Sequence, residues 1–263
     1  MLTILQGDWI EQLRTLSDQS VQCCVTSPPY DGLRTYGFSK TSWQFEPGVH
    51  ELLRVLKPGG VVCWNVGLEV VGGSESLSPF KQAIYFVEKG GFLLHDTMIY
   101  QKRNFSHPER TRYHQVFEYV FVFSKGPPLV FNPLIDRANL TAGSIGNLGV
   151  NTFTERDGSK SVREKKVTKE FGMRHNVWLG KTRGQEDMCE KLPHPAMMPK
   201  WLSRDLILSW SNVGDTVLDP FGGSGTTGMV ALETGRKAIL IELNPEYVKL
   251  AEQRCNVTPG FKM

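Results

Sequence analysis

The chain has 263 residues, 40% of them hydrophobic and 22% charged, with a net charge of +3. That balance describes one large globular domain with an inserted lobe, and no apolar run approaches the ~20 residues of a membrane span. The stretch from Met1 to Asp8 lacks a basic head and a long apolar core, so no signal peptide is expected. Five cysteines, an odd number without C-x-x-C spacing, read as reduced core thiols of a cytoplasmic protein. The six histidines are scattered, and no metal is expected.

Taken in chain order, Leu2 to Leu5 predicts a strand that runs into Gly7 and Asp8. Ile10, Leu13 and Leu16 then share one side of a helix, for which Asp8 suits the N-cap. Val21 to Val25 is the next strand, and it ends in Thr26-Ser27-Pro28-Pro29-Tyr30. His50 to Leu56 is an amphipathic helix stopped by Lys57-Pro58-Gly59-Gly60, followed by a buried strand from Val61 to Val66. Pro79 to Glu88 is a helix stopped by Gly90-Gly91. Phe92 to Tyr100 and Val116 to Phe123 form two strands joined by a basic loop, Gln101 to Gln115, which carries Lys102, Arg103, Arg110 and Arg112. The alternation predicts an α/β, doubly wound, mostly parallel sheet with helices on both faces, and the helix-free pair predicts an antiparallel edge.

Gly126-Pro127-Pro128 marks a break, and the inserted lobe is placed at 127–184. From Arg156 to Arg183 there are nine Lys and Arg against three acids, an excess of six that leaves the rest of the chain slightly acidic. The densest part holds Arg163, Lys165, Lys166 and Lys169. Such a block is either a solvated loop or a surface held against a polyanion.

Beyond the lobe, Thr216 to Leu218 is a short strand, and Thr226 to Thr234 reads as a helix. Between them runs Asp219-Pro220-Phe221-Gly222-Gly223-Ser224-Gly225-Thr226-Thr227-Gly228, whose Gly223, Gly225 and Gly228 fit the G-x-G-x-x-G dinucleotide pattern. Asp219 argues against a dinucleotide, because a carboxylate would face the pyrophosphate that a helix N-terminus otherwise attracts. A cofactor with a sulfonium, an ammonium and no phosphate, such as S-adenosylmethionine, removes the conflict. No Lys follows the glycines, which excludes a Walker loop. The next strand, from Arg236, ends at Glu242 and gives way to a helix from Glu246. A carboxylate there can accept both hydroxyls of a ribose, or it is simply an exposed strand-end charge.

The stretch from Ser27 to Tyr30 is a rigid clamp. Its prolines fix the backbone and remove competing N–H donors. The Ser27 hydroxyl and a backbone carbonyl, that of Pro28, remain as acceptors, with Tyr30 as an aromatic plate. Clamp and glycine loop together, in this order, resemble the DNA methyltransferases that modify exocyclic amines of bases, in their circularly permuted β class. The resemblance covers roughly residues 1–125 and 193–255.

The resemblance implies a Rossmann-like sheet of seven strands, six parallel and one antiparallel. It divides the chain into a catalytic half (1–126), a target-recognition lobe (127–184) and a cofactor half (185–263). It implies S-adenosylmethionine as cofactor and Ser27, Pro28, Pro29 and Tyr30 as the catalytic set. The cofactor contacts it implies are Asp8 (near the adenine), Thr26, His194, Pro195, Asp219, Phe221, Gly223, Ser224, Gly225, Thr226, Glu242 (on the ribose) and Asn244. DNA contacts fall to Lys102, Arg103, Arg110, Arg112, Arg163, Lys165, Lys166 and Lys169. One departure stands out: His194-Pro195-Ala196-Met197-Met198-Pro199 replaces the usual His-Pro-Thr-Gln-Lys-Pro, so Ala196 and Met197 cannot supply the polar contacts of Thr and Gln.

The implied partners are double-stranded DNA, a second copy of the chain and a cognate restriction nuclease, in the cytoplasm of a bacterium or encoded by a phage. In this family a Ser at the position of Ser27 usually accompanies cytosine-N4 methylation, and an Asp adenine-N6 methylation. None of the 15 prolines precedes a Cys, which argues against a cytosine-C5 enzyme. The alternatives are an adenine-N6 enzyme, an enzyme acting on RNA, a nicotinamide oxidoreductase and a DNA-binding module without activity.

Overall fold

The computed structural model describes residues 1–29, 45–105, 108, 110–143, 151–163, 167–180 and 197–256, with backbone alone at 151–153 and 161–163. The elements are β1 (Leu2–Gln6), α1 (Trp9–Thr15), β2 (Val21–Thr26), α2 (Phe45–Val55), β3 (Leu56–Val66), β4 (Val70–Val71), β5 (Ser74–Glu75), α3 (Ser78–Glu88), β6 (Leu93–Gln101) and β7 (Phe117–Ser124). After these come β8 (Arg137–Ala138), β9 (Asn151–Thr154), β10 (Lys160–Arg163), β11 (Phe171–Gly172), β12 (Val177–Leu179), α4 (Lys200–Trp210), β13 (Thr216–Asp219), α5 (Thr226–Glu233), β14 (Lys237–Glu242) and α6 (Pro245–Asn256).

Residues Met1–Asn132 and Asn176–Met263 form one compact unit, and Pro133–His175 a second. The first is built on a sheet in the order β1-β14-β13-β2-β3-β7-β6-β12. Strands β1, β14, β13, β2 and β3 pair in parallel, β7 is antiparallel to both β3 and β6, and β12 is parallel to β6. Among the described residues the sheet therefore has eight strands rather than seven. The added strand is Val177–Leu179, a Val-Trp-Leu run at the end of the basic stretch, whose Trp178 is buried and packs near Trp201 of α4. It makes β6 internal, so the expected edge pair is antiparallel but not at the edge. It also ends the second unit at His175, short of the expected lobe boundary at residue 184.

Neighbouring residues of β14 show why helices cover both faces. Ile241 belongs to the cluster of α1, α2 and α3 with Trp9, Leu13, Leu52 and Phe86, whereas Leu240 packs with Ala251 and Cys255 of α6. Side chains of a strand alternate between faces, so a continuous apolar run serves two layers. Trp64 anchors the first layer: its ring meets Phe86 at 5.2 Å, and its indole N–H donates to Gln82 at 2.8 Å.

Helix α2 begins at Phe45, earlier than expected, and it passes at Leu56 directly into β3. Lys57-Pro58-Gly59-Gly60 thus lies within the strand. Leu56 already pairs with Val21, and the register shift between Val21 and Cys23 absorbs the Pro-Gly irregularity. The Lys125 ammonium donates to the carbonyls of Leu53 (2.7 Å) and Leu56 (2.8 Å), satisfying the end of α2 where no glycine cap is available.

In the second unit β9 and β10 form a hairpin, β8 pairs antiparallel with β11, and the Arg174 guanidinium pairs with Asp136. Among the described residues no helix is long and apolar enough to cross a membrane.

Candidate active site

Strands β2, β13 and β14 are neighbours, so the predicted clamp, the glycine loop and Glu242 all leave the sheet at the same end. Leu218 pairs with Cys24, which brings Asp219 level with the last residues of β2. There the Thr26 hydroxyl donates to Asp219 Oδ1 across 2.6 Å, a buried bond between residues 193 positions apart. The Phe221 N–H donates to the same oxygen at 3.1 Å. Burial pushes the Asp219 carboxyl up to about 6, against the opposing pull of the Thr26 and Thr227 hydroxyls and the Phe221 N–H; the charge of Glu242 adds to the rise.

Glu242 ends β14 with both oxygens engaged. Oε2 accepts the Gly223 N–H and Oε1 the Asn244 N–H, each at 2.8 Å. Burial raises its pKa, and these backbone donors oppose the rise. Gln6 pairs with Glu242 in register, and the Gly7 N–H donates to the Glu242 carbonyl at 3.0 Å. Asp8 follows next. It caps α1, accepting from the N–H groups of Ile10 (2.9 Å) and Glu11 (3.2 Å), so its capping role is seen directly. Asn244 caps the following helix, with Oδ1 accepting the Glu246 N–H at 2.8 Å.

The glycine loop turns into α5 at Gly225, whose φ of +81° lies in the left-handed region. A Cβ there would stand 2.8 Å from Ala251 Cβ, and one at Gly228 would stand 2.7 Å from Leu240 Cδ1. The glycines thus let α5 press against α6 and β14. The loop is held from beneath by Arg254 of α6, which donates to the Ser224 carbonyl (2.6 Å), Ser224 Oγ (2.8 Å) and Thr226 Oγ1 (3.2 Å). Phe221 leans the other way, with ring centroids 4.9 Å from Trp9 and 6.1 Å from Trp64.

Of the clamp, Pro28 is buried, and Ser27 and Pro29 are half-buried; Tyr30 lies outside the described residues, as do His194 and Pro195. Strand β2 delivers the clamp beside β3, where Thr26 pairs with Trp64.

The basic residues divide. Lys102 pairs with Glu118, whose other oxygen accepts from Asn65 at 2.8 Å. Arg103 donates to the Gly180 carbonyl (2.8 Å), and Arg112 to the Gly73 carbonyl (2.5 Å). These three therefore brace the loop as well as carrying charge. Arg110 and Lys169 are exposed; Arg163 is described by backbone alone, and Lys165 and Lys166 lie outside the described residues.

Three residues of the site had no signal in the sequence. Thr227 donates to the Val25 carbonyl at 3.4 Å, Arg254 grips the loop, and Trp9 walls it. Each partner lies far away in the chain, so only the strand order reveals them. Among the described residues no group of His, Cys, Asp and Glu could hold a metal ion, and Cys23, Cys24, Cys63 and Cys255 are buried free thiols.

The donor set fits the cofactor inferred above. Two carboxylates stand at adjacent strand ends, and their partners among the described residues are hydroxyls and backbone N–H groups. That surround suits a sulfonium and an ammonium and would repel a pyrophosphate.

The DNA methylase family matches residues 21–253. The orphan methyltransferase M.BamHII of Bacillus amyloliquefaciens is 46% identical over 242 residues, which cover 91% of this chain and 90% of that protein. The DNA adenine methyltransferase YhdJ of Escherichia coli (strain K12) is 27% identical over 98% of this chain and 84% of its own. A Thermus thermophilus protein assigned as a DNA modification methylase, solved in complex with S-adenosyl-L-methionine, superposes with a TM-score of 0.64 at 23% identity, over 99% of this chain and 98% of that one.

Proposed function

This chain belongs to the DNA methylase family and is an S-adenosylmethionine-dependent DNA methyltransferase of the exocyclic-amine type, and from that premise we propose that its acceptor is the N4 amine of cytosine. The observation that carries the choice of base is Ser27, a hydroxyl where adenine enzymes of the resembling family usually have a carboxylate. A second reading, adenine-N6, draws on the likeness to YhdJ.

The chemistry requires the clamp. An exocyclic amine is a poor nucleophile because its lone pair is delocalised into the ring. We assign the Ser27 hydroxyl and the Pro28 carbonyl to accept its two N–H bonds, which pyramidalises the nitrogen and aims the lone pair. When bound, the cofactor would supply a methyl carbon activated by a positive sulfur, a leaving group that would take the bonding electrons and become a neutral thioether. The acceptors keep the amine in line through the transfer, and its surplus proton departs to solvent. The amine is inaccessible in a duplex, so the base is flipped out at a cost of a few kcal/mol. Stacking on Tyr30 returns about 1–3 kcal/mol.

On this reading Glu242 holds the ribose, its orientation fixed by Gly223 and Asn244. Phe221, Ser224, Gly225 and Thr226 shape the loop around the cofactor; Asp8 borders the adenine, and His194 and Pro195 the methionine end. The basic unit around Pro133–His175 takes the DNA phosphates. A homodimer, a cognate nuclease and a cytoplasmic location are proposals that rest on the family resemblance. Size-exclusion chromatography with light scattering checks the first.

The test of base identity is to hydrolyse DNA methylated by the purified protein to nucleosides and resolve them by mass spectrometry. N4-methyl-2′-deoxycytidine is expected. N6-methyl-2′-deoxyadenosine in its place would overturn the choice of base and leave the methyltransferase assignment standing.

A further inference from the structure

Two hydroxyls join the clamp strand to the cofactor loop, and neither belongs to the chemistry derived above. Thr26 Oγ1 donates to Asp219 Oδ1 at 2.6 Å, from the residue immediately before Ser27. Thr227 Oγ1, on the first turn of α5, makes a long 3.4 Å contact with the Val25 carbonyl, and the same hydroxyl faces Asp219. The two contacts run in opposite directions, one from β2 to the loop and one from α5 to β2. Both Thr side chains are buried, at 0% and 2% exposure, so water does not compete for either hydroxyl. The Thr26 hydroxyl, sealed from the surface, is poorly placed to touch a cofactor.

We propose that Thr26 and Thr227 are positioning residues, a pair of straps that fix the height of Ser27 over the cofactor loop and transmit cofactor loading at Asp219 to the clamp. The inference rests on the clamp reading of Ser27 given above. It moves Thr26 from cofactor contact to a residue that acts through Asp219. A displacement of about 1 Å at reacting atoms costs on the order of 100-fold in rate, so a strap one residue from an acceptor is well placed to matter. Without it, cofactor still binds but the amine is held out of line.

The test compares Thr26→Val and Thr26→Ser with the wild-type protein. Three quantities are read: cofactor affinity by calorimetry, single-turnover methyl transfer to duplex DNA, and amide hydrogen exchange of the segment from Val21 to Ser27 with and without S-adenosylmethionine. For Thr26→Val we expect affinity within about threefold of wild type, transfer slower by roughly 10- to 100-fold, and loss of the cofactor-induced protection of the segment. Thr26→Ser, which keeps the hydroxyl, restores all three.

A further readout is the pH dependence of cofactor affinity. The Thr26 donor favours the charged form of Asp219, which also faces Thr227, Cys24 of β2 and Glu242 of β14, so its loss moves the acid limb to higher pH. Should Thr26→Val fail to fold, Thr227→Val removes the hydroxyl that faces both the Val25 carbonyl and Asp219 and reads the same coupling. Unaltered transfer and protection in the valine variants would overturn the proposal, as would a loss of affinity that matches the loss of rate. A wild-type protein that binds cofactor and methylates no DNA would remove the clamp reading instead, and the exchange experiment would still judge the straps.

Discussion

Glu242 accepts the backbone N–H of Gly223 across 2.8 Å, tying the end of β14 to the middle of the glycine loop. With Asn244 on its other oxygen, the carboxylate is held in one orientation before any ligand arrives, and each oxygen keeps a lone pair to offer. Glu242→Gln turns an NH2 group toward one of those two N–H donors, so either the Gly223 or the Asn244 bond is lost and the site loses an acceptor. Cofactor affinity is expected to fall at least about tenfold, or about 1.4 kcal/mol, by calorimetry. Affinity equal to wild type in both Glu242→Gln and Glu242→Ala would remove Glu242 from the ribose role.

Asp219 carries an electrostatic load. Its pKa is raised to about 6 from an ordinary value of 3.8, chiefly by burial. Between these values the folded state binds more protons than the unfolded one, so this group makes stability fall as pH rises from about 4 to about 6, and level off above. The full effect is on the order of 3 kcal/mol. Asp219→Asn keeps an Oδ1 for Thr26 and Phe221 and removes the buried charge. By calorimetric melting at a series of pH values, its stability relative to wild type is expected to rise across that window. At pH 8 the variant melts no lower than wild type, while its cofactor affinity drops because the cation loses a counter-charge. A stability difference that is flat with pH would count against the raised pKa.

Gly225→Ala meets two obstacles, a left-handed φ and the Ala251 methyl at 2.8 Å. The backbone conformation alone costs roughly 1–2 kcal/mol for an L-residue. Urea unfolding is expected to show at least that loss. Adding Ala251→Gly removes the methyl but leaves the Ala251 Cα, which would stand 2.9 Å from the new Cβ, and φ as it was, so it recovers only a small part of the stability. Full recovery in the double variant would assign the whole cost to packing.

Much of this was legible in the sequence because periodicity and punctuation agree. The strands around Leu218 and Ile239 are short apolar runs, that around Cys23 is apolar but for Gln22, and the Gly-rich stretch after Asp219 reads as a turn into a helix. Glu242 was found because a carboxylate after such a run marks a strand end. The eighth strand was hidden: three residues, Val177 to Leu179, give no period to read, and the charge around them masks Trp178. Leu56 reads as helical because its apolar spacing continues that of Leu52 and Val55; pairing with Val21 takes it into the sheet instead. Thr227 and Arg254 escaped because their roles exist only once β2, α5 and α6 are brought side by side.

The basic stretch makes its own prediction. Replacing Arg163, Lys165, Lys166 and Lys169 together by Ala should weaken binding to duplex DNA and flatten its salt dependence. The slope of log affinity on log salt falls by about 0.9 for each phosphate that is no longer neutralised. Cofactor affinity should not change. A titration series from low to moderate salt reads the slope, and an unaltered one would return this stretch to a solvated loop.

The division of labour between clamp and loop is tested most directly by single-turnover transfer of a labelled methyl group to duplex DNA, with cofactor affinity measured on the same samples, for Ser27→Ala and Tyr30→Ala. Both variants should bind S-adenosylmethionine within about threefold of wild type, and both should lose transfer by on the order of 100-fold or more, since acceptor and stacking plate act only on the flipped base. Transfer at the wild-type rate in either variant, or a cofactor affinity that collapses with the rate, would contradict the assignment of Ser27 and Tyr30 to the base.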